Sequence, residues 1–270
     1  MFSLLSLTLC VKYLELNGRL MNNNALVEFK NVSKEFTSKG GATKVLNNLN
    51  FVIEKNSFTI IYGPSGSGKS TILNILLGLL PPTSGQVITN GVSLYDLNND
   101  QRAIFRALHY GIIAQSNNWV NSLNTLENIA MPLFLKGNRY KEAINKARNS
   151  LDKIGLSSFS EYHPSVMSVG QQQRVSVARA TVETPMLLIA DEPTGSLDSK
   201  NGDLIMKIIT KYKNEHNSTI ILVTHNMDYL ALSDHRIFLK DGAIEQYSGG
   251  YFVKSAEAKK VSQENDGGNA

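Results

Sequence analysis

The chain has 270 residues, 42% hydrophobic and 19% charged, enough for one sizeable core with or without a smaller lobe attached. A net charge of +4 and a pI near 9.0 suit an anionic ligand or a membrane surface, and equally an ordinary basic globular protein. The single cysteine, Cys10, excludes a disulfide framework or a zinc site and fits a reducing compartment.

Met1 to Val11 is apolar but short, with no basic flank before it and no small-residue cleavage site after it. Residues 1–24 therefore read as an N-terminal extension, with Met21 an alternative start, and 25–250 as a single domain. Apolar, strand-like residues at 25–32 and 49–54 flank a polar, glycine-containing loop; Gln86 to Thr89 is a short strand candidate followed by the hairpin-turn pair Asn90-Gly91. These pieces predict an antiparallel sheet at the front of the domain. Phe58 to Tyr62, Met186 to Ala190 and Thr219 to Val223 are nearly continuous apolar runs, as in parallel strands covered on both faces by helices. Each run ends in polar chemistry: Gly63 onward, Asp191-Glu192 and Thr224-His225. Ligands of open α/β sheets sit beyond the carboxyl ends of the strands, so the three ends predict one site.

Ala143, Ala147, Leu151 and Ile154 recur at helical spacing until Gly155 stops the pattern, which places a helical lobe at about 116–165. Arg236 to Leu239, Asp241-Gly242 and Ala243 to Gln246 read as a hairpin, and 251–270 as a polar, flexible tail. The most apolar internal stretch, Ile72 to Leu80, falls far short of the ~20 residues a membrane span needs. A role at a membrane then requires a partner that spans it.

Gly63-Pro64-Ser65-Gly66-Ser67-Gly68-Lys69-Ser70-Thr71 matches the P-loop pattern, after an expected strand and before an apolar helix. Glycines let the backbone curl so that its N–H groups face phosphate oxygens, and the helix adds its positive end. Lys69 is placed to reach the β- and γ-phosphates of ATP, Ser70 to ligate Mg²⁺ and Thr71 to support the phosphates. Asp191, at a strand end beside such a loop, can hold Mg²⁺ directly or through water. Glu192 can orient or deprotonate the attacking water. Alone, an Asp-Glu pair after an apolar strand is more often a helix N-terminal charge pair; the loop upstream reverses that weighting.

Met167-Ser168-Val169-Gly170-Gln171-Gln172-Gln173-Arg174 resembles the signature of the ABC ATPase family, where two glycines usually follow the serine. The resemblance spans about Val27 to Gln246. It implies an α/β P-loop NTPase fold with a mixed, parallel core sheet, an N-terminal antiparallel β subdomain and a helical subdomain. It also implies ATP hydrolysis with Mg²⁺, in a homodimer or heterodimer whose Ser168, Val169, Gly170 and Gln171 meet the ATP of the opposite subunit. Val169 stands where the family carries glycine, and strain is expected there if glycine's backbone angles are required. Gln115 resembles the glutamine that senses Mg²⁺ and the attacking water. Ser196 and Asp198 resemble the loop that crosses the dimer, His225 the histidine at the γ-phosphate, and Phe36 the aromatic that stacks on adenine.

Within the family, Gln115-Ser116, the run Leu123 to Asn128, Met131-Pro132-Leu133 and the run Asp191 to Asp198 are similar to the LolD/MacB type. That type works peripherally, on the cytoplasmic face of the membrane, with separate permeases that release lipoproteins or drive efflux. Asn117-Asn118-Trp119-Val120 departs from its usual pattern, in a loop bordering the surface that would dock the permease. No nucleic-acid partner is expected. Two other readings stay open: a non-transport member that signals across the membrane to a cell-wall hydrolase, and an ATP-binding module with weak hydrolysis. A GTPase is disfavoured because no Asn-Lys-x-Asp motif is present.

Overall fold

The computed structural model describes residues 24–38, 41–116 and 118–249. The N-terminal extension up to residue 23, with Cys10 and Met21, and the expected tail lie outside the described residues. Two sheets organise the rest.

The first sheet is antiparallel, in the order β2-β1-β4-β5. It comprises β1 (Ala25–Ser38), β2 (Gly41–Glu54), β4 (Ser84–Thr89) and β5 (Val92–Ser93). β1 and β2 run well beyond 25–32 and 49–54, through the polar residues expected to form a loop. Exposed polar residues occupy much of that extension, and its ladder survives through register shifts between Phe29 and Glu35. Two asparagines take up the irregular backbone: Asn31 and Asn48 have φ of 52° and 49°. Their N–H groups donate to Asn50 Oδ1 and Ser33 Oγ, each at 2.9 Å. Phe29 faces Phe51 across the ladder, with ring centroids 4.4 Å apart. Asn90 and Gly91, at φ 49° and 78°, make the expected tight turn into β5.

The second sheet has the order β10-β9-β3-β8-β7-β6. Its strands are β3 (Phe58–Tyr62), β6 (Tyr110–Ile113), β7 (Leu187–Asp191), β8 (Thr219–Thr224), β9 (His235–Lys240) and β10 (Ala243–Ser248). All neighbours are parallel except the β9–β10 hairpin. Alternate residues of the central strands enter different cores. Ile61, Ile189, Ile221 and Val223 join the antiparallel sheet and helix α1 (Lys69–Leu76). Ile60, Leu188, Ile220 and Leu222 meet helices α5 (Val169–Thr181) and α6 (Ser199–His216). Each such fully buried side chain stabilises the fold by about 1.5–3 kcal/mol, which is why these strands read as unbroken apolar runs.

Between β6 and β7 lies a third core, built from α3 (Thr125–Leu135), α4 (Tyr140–Lys153) and part of α5. Ala143, Ala147 and Leu151 point into it as their spacing predicts, and Gly155 leaves the helix at φ 69°. The cluster also contains Met167, Val175 and Ala178, so its packing continues past residue 165 along α5. Two helices have no counterpart in the sequence reading: α6, and α2 (Asn99–His109), started by a capping box between Asn98 and Gln101.

Candidate nucleotide site

The loop from Gly63 to Gly68 joins β3 to α1. A side chain at Gly63, φ 150°, would put its Cβ 2.0 Å from the Leu239 carbonyl oxygen of β9. Gly68, in the left-handed region, caps α1 without any side-chain hydrogen bond. The hairpin turn holds the loop from behind: the Gly242 N–H donates to the Ser67 carbonyl at 3.2 Å and the Asn47 N–H to the Gly242 carbonyl at 2.8 Å. The first turn of α1 carries no acidic residue, so no side chain of the helix itself offsets its positive dipole end.

Lys69 is buried, and its ammonium donates to the carbonyls of Gly63 and Pro64, both at 2.8 Å. Burial lowers its pKa, against the pull of Glu192 and Asp191. The Ser67 hydroxyl is buried without a partner. Ser65, Gly66, Gly68, Lys69, Ser70 and Thr71 line a cavity of about 380 Å³, which Gln115 and Glu192 complete from two other strand ends. Val45 of β2 and Val223 of β8 also line it; no chemical signal in the sequence marks either. Pro64 lies in the loop but is not among the lining residues.

Asp191 ends β7 and its pKa is raised, first by burial and then by the Glu192 charge, with Lys69 opposing. Glu192 leaves the strand at φ 46°, an unusual backbone for a non-glycine residue, held by donation of its N–H to the Val223 carbonyl at 2.9 Å. Its carboxylate Oε2 lies 2.9 Å from His225 Nδ1 and accepts from the His225 N–H at 3.4 Å. Glu192 is largely buried while the His225 ring is two-thirds exposed, so the pair spans from the cavity wall to solvent.

Other expected site residues sit elsewhere. Ser168 caps α5 and forms a reciprocal capping box with Gln171; neither these residues nor Val169 and Gly170 line the cavity of their own chain. Val169 takes the first helical position with a negative φ and a half-exposed side chain, so the strain expected of a non-glycine residue there is absent. Gly170 packs on Asn201, the third residue of α6, which donates to the carboxylate of Asp198 at 2.7 Å through its side chain and at 2.8 Å through its backbone. These bonds hold the Asp198 pKa down. Ser196 is exposed just before that cap. Phe36 lies on β1 with its ring exposed, 5.1 Å under the Lys34 ammonium, and pairs with Thr43, two residues from the cavity residue Val45.

The chain's relatives give its family. The ABC transporter family profile matches residues 46–195. The chain is 35% identical over 224 residues to the ABC transporter ATP-binding protein YtrE of Bacillus subtilis, covering 82% of this chain and 97% of that one. It is 37% identical over 217 residues to the lipoprotein-releasing system ATP-binding protein LolD of Colwellia psychrerythraea, covering 80% and 84%. Among solved structures, the dimeric ABC transporter cassette MJ0796, whose sequence is that of a Methanocaldococcus jannaschii protein, superposes with a TM-score of 0.78 at 36% identity, over 84% of this chain and all of that one. A second MJ0796 structure, a post-hydrolysis dimer bound to ADP and phosphate, fits equally well at a TM-score of 0.78. With a phosphate loop, an acidic strand end and a capped signature helix in one α/β frame, the chain belongs to the ABC transporter family, as an ATP-binding subunit that hydrolyses ATP.

Proposed function

We propose that two copies close head to tail on two ATP molecules, and that a separate permease converts the cycle into work at the cytoplasmic face of a membrane. One observation carries the dimer: Ser168 to Gln171 form a preorganised, partly exposed helix start that does not line the phosphate cavity of their own chain. Such a start presents a hydroxyl and N–H groups to an anion supplied from outside. The MJ0796 dimers support the same reading.

Within each site the loop N–H groups, the free end of α1 and Lys69 hold the phosphates. Phe36 stacks on adenine from the edge of the antiparallel sheet. Ser70, Gln115 and Asp191 supply hydroxyl, amide and carboxylate oxygens, the hard donor set Mg²⁺ takes. Burial, and then the Glu192 charge, raise the Asp191 pKa, and a cation held there would offset both. When bound, Mg²⁺ neutralises charge on the phosphates. Glu192 takes the proton of the attacking water, and His225 steadies both that carboxylate and the γ-phosphate. Cleavage removes the anion both copies contact, and the dimer reopens.

Among the described residues no helix is long and apolar enough to cross a membrane. A groove of about 650 Å³ between α2, β6 and α3, lined by Ile104, Leu108, Val120, Met131 and Leu135, receives an apolar element of the permease. The likeness to LolD supports lipoprotein release as the work performed.

The test is Glu192→Gln. It keeps the size and a hydrogen-bonding oxygen but removes the base, so turnover falls about 10²–10⁴-fold and Mg-ATP accumulates as a dimer in light scattering. A variant that stays monomeric at saturating Mg-ATP refutes the scheme.

A further inference from the structure

The segment after Gln115 touches three places in succession. Gln115 lines the nucleotide cavity. Ser116, Asn118 and Val120 line the apolar groove. Trp119 packs instead on the core of the helical lobe, against the signature helix. Its indole Nε1–H donates to Gln172 Oε1 at 2.8 Å, and the Arg179 guanidinium lies 4.5 Å from the ring centroid. Arg179 also lines the groove, so the indole and the groove share a wall.

Gln172 immediately follows Ser168 to Gln171, the four signature residues read as meeting ATP. With its oxygen engaged by Trp119, its amide nitrogen donates to the Met167 carbonyl at 3.0 Å, one residue before the Ser168 cap. The far side of Trp119 is equally fixed. Asn128, fully buried, accepts from the Val120 N–H at 3.0 Å, and its two amide protons are shared among the carbonyls of Val120, Leu123 and Asn124, at 3.2, 2.9 and 3.0 Å from Nδ2. Trp119 is thus clamped between a rigid helix start and the backbone that presents the signature.

We propose that Trp119 is a positioning residue for the signature turn: through Gln172 it couples the groove wall to the backbone at Met167 and Ser168. The inference rests on the reading that this signature meets the ATP of a second copy and that the groove receives the membrane partner. A displacement of the groove wall moves the indole, and the indole can move only with the Gln172 amide. That amide in turn holds the carbonyl before the cap.

Trp119 is the only tryptophan of the chain, so its emission reports the clamp directly. In the full-length Glu192→Gln protein, Mg-ATP should shift the emission maximum in step with dimer formation by light scattering. In the otherwise unchanged enzyme, Trp119→Phe keeps a ring beside Arg179 but removes the donor. It should raise the Mg-ATP concentration for half-maximal turnover about two- to tenfold, the worth of one hydrogen bond, with kcat at saturation and the unfolding midpoint nearly unchanged. In a Gln172→Ala background the same substitution should add nothing. An equal cost in both backgrounds, or a dimer that forms without any change in emission, overturns the proposal alone. Failure of the Glu192→Gln protein to dimerise overturns the dimer reading and this inference together.

Discussion

Two glycines of the phosphate loop separate backbone strain from space. Gly63 and Gly66 both have φ in the range that favours glycine, 150° and 79°. A Cβ at Gly66 meets nothing within 4 Å, so Gly66→Ala should cost only the conformational term, about 1–2 kcal/mol. A Cβ at Gly63 would lie 2.0 Å from the Leu239 carbonyl oxygen, and an ordinary contact of that kind is about 3.4 Å. The loop, or β9, must therefore move by more than about 1 Å. β9 is bonded to β3 on one side and β10 on the other, so the loop is the part that gives. Misplacement of about 1 Å at a site of this kind costs on the order of 10²-fold. Gly63→Ala should lose ATP affinity and phosphate release by at least that factor, and Gly66→Ala by about thirtyfold at most. A titration with a fluorescent ATP analogue and a phosphate-release assay measure the two losses, while circular dichroism melts establish that both variants fold. If Gly63→Ala binds within about threefold of the parent, or if both alanines cost the same, Leu239 does not fix the loop as the distances imply.

Gly170→Ala tests the contact between the signature and the loop that starts α6. The new methyl would sit 2.9 Å from Asn201 Oδ1 and 3.0 Å from its Cγ, displacing the side chain that bonds Asp198. Loss of that bond should lower the denaturation midpoint slightly in denaturant titrations, with a larger fractional loss of ATPase rate. A variant at parental stability and rate removes any role for the packing. Asp234 predicts a pH effect away from the site. Its carboxylate accepts from the Phe58 N–H at 2.8 Å and pairs with Lys213 at 3.0 Å. These partners outweigh burial and hold its pKa below the ordinary value. A group depressed on folding stabilises above its unfolded pKa, about 3.9, and that stability is lost as pH falls through the folded value. The melting temperature gap between the protein and Asp234→Asn should therefore be constant near neutrality and close below pH ~4. A gap that widens on acidification contradicts the assignment.

How far the sequence disclosed the site depends on where a residue's role resides. Gly63 to Thr71 was legible because its demands fall on residue type: glycine for left-handed backbone, lysine for charge, serine for a hydroxyl. Asp191 and Glu192 were legible as chemistry, but not the left-handed turn at Glu192, which the Val223 carbonyl imposes from 31 residues downstream. Val169 shows the reverse case. Strain follows there only if glycine's backbone angles are required, and they are not: Ser168 caps the helix and places Val169 in its first turn, where any L-residue fits. The glycine whose missing side chain matters is the next one, Gly170, and its reason is a neighbour on α6 rather than an angle. The β1–β2 extension and β6 were missed for a related reason. Polar residues on an exposed ladder look like a loop, and β6 has only four residues at a sheet edge, one of them Gly111, where a Cβ would lie 2.2 Å from the Ala180 carbonyl oxygen. Trp119 sharpens the distinction. In the sequence it was only a departure from a familiar pattern. In the fold its indole reaches a glutamine 53 residues away, so the departure is where this chain links its groove to its signature in its own way.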